Sequence, residues 1–197
     1  QVTLENGAVR HLTPHTGQAR YRQPTFSADG QSVYCLCDRE REFLGVVKIN
    51  LADLSVAPVA QPEAEVEFLA ASRDGRFLCW VTNVDGAHTL EALDLHTGKI
   101  CHASHLPVGV VGAPDSMAPV FSPTRGQVAF SFSTPRCAPD VWVWDLEADD
   151  LRQVTRSNHR GIPSTCFVEP ELIRYLTFDG REIPAWFYRP QAPPPWP

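Results

Sequence analysis

The sequence contains no apolar run long enough to cross a bilayer. Residues 1–10 lack the basic start and apolar middle of a secretory signal, so a soluble protein with no membrane partner is expected. There is no basic excess either. Seventeen Lys and Arg are set against 23 Asp and Glu, a formal charge of -6, and the two signs are mixed along the chain. That leaves no stripe to neutralise a phosphate backbone and excludes nucleic acid as a partner. Helical periodicity is also missing, since no convincing run repeats apolar residues at three-and-four spacing. Gln1 is not a methionine and strand-like sequence begins at once, which predicts a piece cut from a longer protein.

Cysteine is present without the pattern of a disulfide framework. Cys35 and Cys37 lie in Val33-Tyr34-Cys35-Leu36-Cys37, and Cys79 lies in Phe77-Leu78-Cys79-Trp80. In such apolar, strand-like runs a cysteine is a small buried hydrophobe, so reduced core thiols and a cytoplasmic location are expected.

What the chain does contain is a repeat. Pro24-Thr25-Phe26-Ser27-Ala28-Asp29-Gly30, Leu69-Ala70-Ala71-Ser72-Arg73-Asp74-Gly75 and Pro119-Val120-Phe121-Ser122-Pro123-Thr124-Arg125-Gly126 are versions of one phrase. The serines recur roughly every 45 to 50 residues, the length of one four-stranded propeller blade. An apolar strand follows each phrase (residues 32–38, 76–82 and 127–133), so Asp-Gly sits where two antiparallel strands need a tight turn. A third strand ends in Asn50-Leu51, Asp94-Leu95 or Asp145-Leu146. Turns at His96-Thr97-Gly98-Lys99 and Glu147-Ala148-Asp149-Asp150 lead to short fourth strands at 100–104 and 151–155. Residues 2–13 parallel 144–155 and read as the tail of an earlier blade. In Val141-Trp142-Val143-Trp144 no polar residue alternates with the apolar ones, so both faces of that strand are expected to be covered.

The expected fold is therefore all-β: a partial β-propeller of about three and a half four-stranded blades over residues 1–160. The blade tail is 1–15 and the blades are about 20–60, 61–105 and 118–156. A linker at 161–170 leads to a hairpin at 171–190, in which Pro184 marks an edge strand. A proline-rich tail, 191–197, is expected to be extended or disordered. Three and a half blades leave strand edges uncovered, so self-association is expected for the isolated chain.

The hairpin phrases Val168-Glu169-Pro170-Glu171-Leu172-Ile173-Arg174-Tyr175 and Phe178-Asp179-Gly180-Arg181-Glu182-Ile183-Pro184-Ala185-Trp186-Phe187-Tyr188-Arg189-Pro190 resemble the start of the α/β-hydrolase domain in the prolyl oligopeptidase family of serine peptidases, in its acylaminoacyl-peptidase-like branch. The resemblance implies a propeller that gates peptide access to a hydrolase domain and docks on it. Peptide substrate and that domain would be the partners, and the parent would hydrolyse short or acylated peptides. The Ser-x-Asp-Gly repeats are shared with TolB-like propellers, so a non-catalytic propeller binding a protein partner is the alternative.

Hydrolysis of this kind needs a nucleophilic serine on a Gly-x-Ser-x-Gly elbow, a histidine and a carboxylate. The elbow is absent. No catalytic, cofactor-binding or metal-binding residue is assigned, and the chain alone is expected to be inactive. Cys35-Leu36-Cys37 and Cys101-His102-Ala103-Ser104-His105 lack the paired spacing of a zinc site. His11, His15, His88, His96 and His159 fall in or beside turns and are expected to be solvated. The acidic runs Glu63-Ala64-Glu65 and 147–150 are likewise read as solvated loops. The connection 106–118 exceeds what joining two strands requires and is the best candidate for a functional loop, with a plain connector as the other reading.

Overall fold

The structure is a computed structural model and describes residues 1–112 and 118–190. The expected proline-rich tail and residues 113–117 of the long connection lie outside the described residues. Four antiparallel sheets account for nearly all of the regular structure. The first contains β1 (Tyr21–Phe26), β2 (Ser32–Cys37), β3 (Gly45–Asn50) and β4 (Val56–Ala60) in sequence order. The second repeats that order with β5 (Glu65–Ala71), β6 (Phe77–Val84), β7 (Ala87–Asp94) and β8 (Ile100–His102). The third holds β9 (Val110–Val111), β10 (Val120–Phe121), β11 (Gln127–Thr134), β12 (Cys137–Asp145) and β13 (Asp150–Gln153). A short 3-10 turn at Ser164–Cys166 precedes a two-stranded sheet of β14 (Glu171–Leu176) and β15 (Glu182–Phe187).

The third sheet has five strands where four were expected. β9 pairs with Phe132 and Ser133 of β11, while β10 pairs with Val128 and Ala129 further along the same strand. Both therefore lie on the same edge of β11, where the other two sheets have a single strand. The expected blade tail is reduced to one bridge, Val2 to Val9, within a hairpin whose Leu4 is almost fully exposed.

The serine phrases build the same turn chemically. Ser72 Oγ donates to Asp74 Oδ1 (2.6 Å) and accepts from the Phe77 N–H (2.8 Å), and the Arg76 N–H reaches Asp74 Oδ1 (3.0 Å). Ser27, Asp29, Gln31 and Ser32 repeat it bond for bond. The hydroxyls of Ser27 and Ser72 hold the Asp29 and Asp74 carboxyls below the usual carboxylate range. The third phrase has no aspartate at this position; there the Thr124 N–H only approaches Ser122 Oγ, at 3.4 Å. After each third strand an Asx corner follows: Asn50 Oδ1 accepts from Ala52, Asp94 Oδ1 from His96 and Thr97, and Asp145 Oδ1 from Glu147 and Ala148.

The three larger sheets stack face to face, with the second in the middle. Phe77, Cys79, Val81, Leu90 and Ala92 on one of its faces form a core with Val128, Phe130, Phe132, Trp144 and Leu146 of the third sheet and its flanking turn. Val66, Leu69, Leu78 and Trp80 meet Tyr34, Leu36, Leu44 and Val46 of the first. Central strands β2 and the first six residues of β6 are buried on both faces, which is why their sequences are continuously apolar. Cys35, Cys37 and Cys79 are buried free thiols, and burial pushes Cys35 up to about 12.

Two expectations change. Trp142 and Trp144 point toward the second sheet and Trp144 is fully buried, but Val141 on the opposite face is 41% exposed, because among the described residues no sheet covers that side. The acidic runs are not merely solvated. Glu65 accepts from the Leu44 N–H (2.9 Å) and pairs with Arg20 (3.3 Å), and Glu147 pairs with Arg76, so each carboxylate ties neighbouring sheets together.

Candidate functional site

The terminal hairpin seats on the tip of the second sheet. Between β6 and β7 the chain reverses through Asp85 (φ +53°) and Gly86 (φ +82°), a two-residue turn whose left-handed conformations glycine adopts without strain. Trp186 on β15 donates its indole N–H to the Asp85 carbonyl at 2.8 Å, and Arg174 on β14 pairs with the Asp85 carboxylate. A methyl on Gly86 would lie 3.0 Å from Trp186 Nε1. The turn therefore presents one carbonyl, one carboxylate and a bare Cα to the hairpin.

Gly86→Ala tests that seat against Gly180→Ala, which has the same kind of backbone (φ +79°) but nothing within 4 Å of the added methyl. Both variants are expected to lose about 1 kcal/mol through the left-handed conformation. Gly86→Ala alone should also speed proteolytic cleavage in residues 156–169 by several-fold. Equal cleavage rates for the two variants would mean that the turn does not hold the hairpin.

Beside this seat runs the candidate loop. Its first part is well ordered by hydrogen bonds: the His88 N–H donates to the Gly109 carbonyl (2.8 Å), and the Val111 N–H donates to His88 Nδ1 (2.9 Å). His88 is thus not solvated, as its position near a turn suggested, but has a side chain 6% exposed. Its Nε2 faces Glu67 Oε2 at 3.1 Å, and Asn83 donates to the other Glu67 oxygen at 2.7 Å. Because Nδ1 accepts, Nε2 carries the proton. Burial lowers the His88 pKa, against the opposing pull of Glu67. Gly109 admits the close crossing of β11, since a methyl there would lie 2.2 Å from the Ser133 carbonyl oxygen.

Two cavities flank residues 107–110. One of about 230 Å³ lies among Gly86, Val108, Pro135, Trp186 and Tyr188. The other, about 470 Å³, has an edge-to-face pair, Phe132 and Trp142, with Arg136 and Glu169 in its lining. Among the described residues no serine hydroxyl bonds a histidine, and no group of three His, Cys, Asp or Glu is placed to hold a metal. Cys101 packs against the core and His102 lies 3.8 Å from Glu91, so that short cluster is divided between two environments. The features missed in the sequence are Asp85-Gly86, Trp186 and the Glu67–His88 pair. An Asp-Gly between two apolar strands was a readable turn signal; the long-range partners were not.

No family model and no curated protein sequence matches the chain. Solved structures do. A puromycin hydrolase superposes with a TM-score of 0.79 at 20% identity, over 98% of this chain and 29% of its own. A Mycobacterium tuberculosis puromycin-hydrolyzing peptidase gives 0.78 at 16% identity over 98% and 29%. Prolyl oligopeptidase B from Galerina marginata gives 0.74 at 13% identity over 93% and 25%. The chain spans less than a third of the length of each of these proteins. In fold, this chain is similar to a part of these puromycin-hydrolyzing and prolyl-oligopeptidase proteins.

Proposed function

We propose that the chain is the C-terminal portion of a propeller, with the first strands of a hydrolase domain, from a serine peptidase of the prolyl oligopeptidase type. In this reading residues 1–160 are propeller, 161–170 linker and 171–190 the opening hairpin of the hydrolase. The stack limits access to the catalytic domain and supplies its docking surface, in the reducing environment that buried thiols at Cys35, Cys37 and Cys79 suit. One observation carries the reading: likeness to the puromycin hydrolases extends over 98% of the chain, so it takes in the hairpin as well as the stacked sheets. The Asp85 seat supports it as the start of a docking surface between the two parts.

The test is to express the complete product of the gene and assay it on acylated amino-acid amides, short peptides and puromycin, with and without a serine-directed phosphonate. Hydrolysis abolished by the phosphonate is expected, whereas residues 1–197 alone should be inactive. A folded complete product without phosphonate-sensitive hydrolysis of any of these substrates would overturn the proposal.

A further inference from the structure

We infer that His88 is a pH-sensitive fastening for the strap formed by residues 108–111, and that its protonation releases β9 from the second sheet and opens the two cavities the strap flanks. The strap has two bonds to β7. The His88 N–H to Gly109 carbonyl bond is indifferent to pH, but the Val111 N–H to Nδ1 bond exists only while Nδ1 has a lone pair. When a proton binds Nδ1, two N–H groups face each other at that spot and the bond becomes a repulsion. The remaining hold is the pairing of Val110 and Val111 with Ser133 and Phe132 of β11, the Gly112 N–H bond to the Ser131 carbonyl (2.8 Å) and the buried Val111 side chain.

Three neighbouring strands present groups around the ring, and a cavity that it lines with Glu91 and His102 lies beside it. β5 presents the Glu67 carboxylate to Nε2 and the Phe68 ring at 6.5 Å. β6 presents the Asn83 amide, which holds Glu67, and β9 presents the Val111 N–H. Glu67 is the charged group that acts on His88, and its attraction stabilises the imidazolium once formed. Protonation therefore exchanges the strap bond for a stronger pair with Glu67 rather than ejecting the ring. Burial acts the other way and lowers the His88 pKa, so the fastening is closed at neutral pH and yields on acidification below the ordinary histidine range.

The consequence falls on the cavities. Val108 lines both, Pro107 lines the larger, and Gly109 and Val110 line the smaller. A strap held at Val111 keeps these walls in place, and one released there enlarges both spaces at once.

Hydrogen exchange of the intact protein, corrected for intrinsic rates, reads this directly. Opening of the segment containing Val111 should increase by up to about tenfold per pH unit as the pH falls from the ordinary histidine pKa toward the lowered pKa of folded His88, and level off below it, while β6 holds its protection. His88→Asn places an amide oxygen near the Nδ1 position and cannot titrate, so its opening should not vary between pH 8 and 5. Glu67→Gln keeps the size and removes the charge that favours the imidazolium, so its transition should move to lower pH. Wild-type opening independent of pH over this range, or a His88→Asn variant with the wild-type pH dependence, would overturn the inference. If His88→Asn does not fold, an unmoved transition in Glu67→Gln is the overturning result.

Discussion

Trp144→Ala is expected to cost about 3–5 kcal/mol and to split unfolding into two steps. Trp144 is fully buried, and its indole N–H reaches Asp149 Oδ1 at 3.3 Å. It shares one cluster with Phe77, Val128, Phe132 and Leu146, so it sits at the interface of the second and third sheets rather than within one of them. The sheets are held to each other chiefly through such faces, so stability is roughly a sum of sheet terms and neighbour terms. Removing the indole weakens one neighbour term far more than any sheet term. In urea the third sheet should then unfold first, at a lower midpoint than the first two, followed by hydrogen exchange or by tryptophan emission. Trp144→Phe, which keeps most of the volume and loses only the weak indole bond, should cost about 1 kcal/mol and remain one transition. A single transition at the wild-type midpoint for Trp144→Ala would show that the faces do not hold the stack together.

That interface explains how far the sequence could be read. The turns were legible because their chemistry is local: Ser72, Asp74 and Gly75 bond to one another and to residues within five positions, so the same letters give the same turn at Ser27. Thr177 donates to Asp179 as the serines do, but its hydroxyl accepts from the Arg181 N–H, four positions on rather than five, at 3.1 Å, so the hairpin turn is a variant of the phrase. The apolar runs around Cys35, Cys37 and Cys79 announced that these cysteines are buried. Strand face was harder to read. Val141 and Trp142 are equally apolar, and only the partner sheet decides which is covered. His88 was misread because its neighbours in sequence are those of a turn, whereas its partners Glu67 and Val111 come from strands 21 and 23 residues away. The fifth strand of the third sheet was hidden for a related reason: Val110-Val111 is too short to signal a strand except through its pairing with β11.

Asp140→Ala is expected to cost about 2–4 kcal/mol at neutral pH, most of it through donors left without a partner. The residue is 6% exposed, though close under the surface. Oδ1 accepts from the Thr155 hydroxyl (2.7 Å), the Ser157 N–H (2.8 Å) and the Ser157 hydroxyl (3.0 Å), and Oδ2 accepts from Gln153 (2.9 Å). Burial raises its pKa, but these bonds outweigh burial and hold it below the usual carboxylate range. A carboxyl whose folded pKa is depressed contributes stability that is complete above the unfolded value, near 3.8, and is lost as the pH falls through the folded one. The difference between wild type and Asp140→Asn should therefore be complete at pH 7 and shrink as the pH falls below 3.8. Asp29, Asp74, Asp94 and Asp145 are depressed in the same direction and are present in both proteins, so their acid sensitivity cancels in that comparison. The second readout is positional. Thr155 and Ser157 are where the chain leaves the third sheet for the linker, so loss of the carboxylate frees that departure point and leaves the segment held by Arg136 at the Ser164 carbonyl and by the hairpin contacts at Asp85. Cleavage in residues 156–169 should rise several-fold in Asp140→Ala and further when combined with Gly86→Ala, because the two contacts fasten opposite ends of one segment. An unchanged midpoint at pH 7, or a stability difference as large at pH 2.5 as at pH 7, would show that the carboxylate does not carry these bonds in solution.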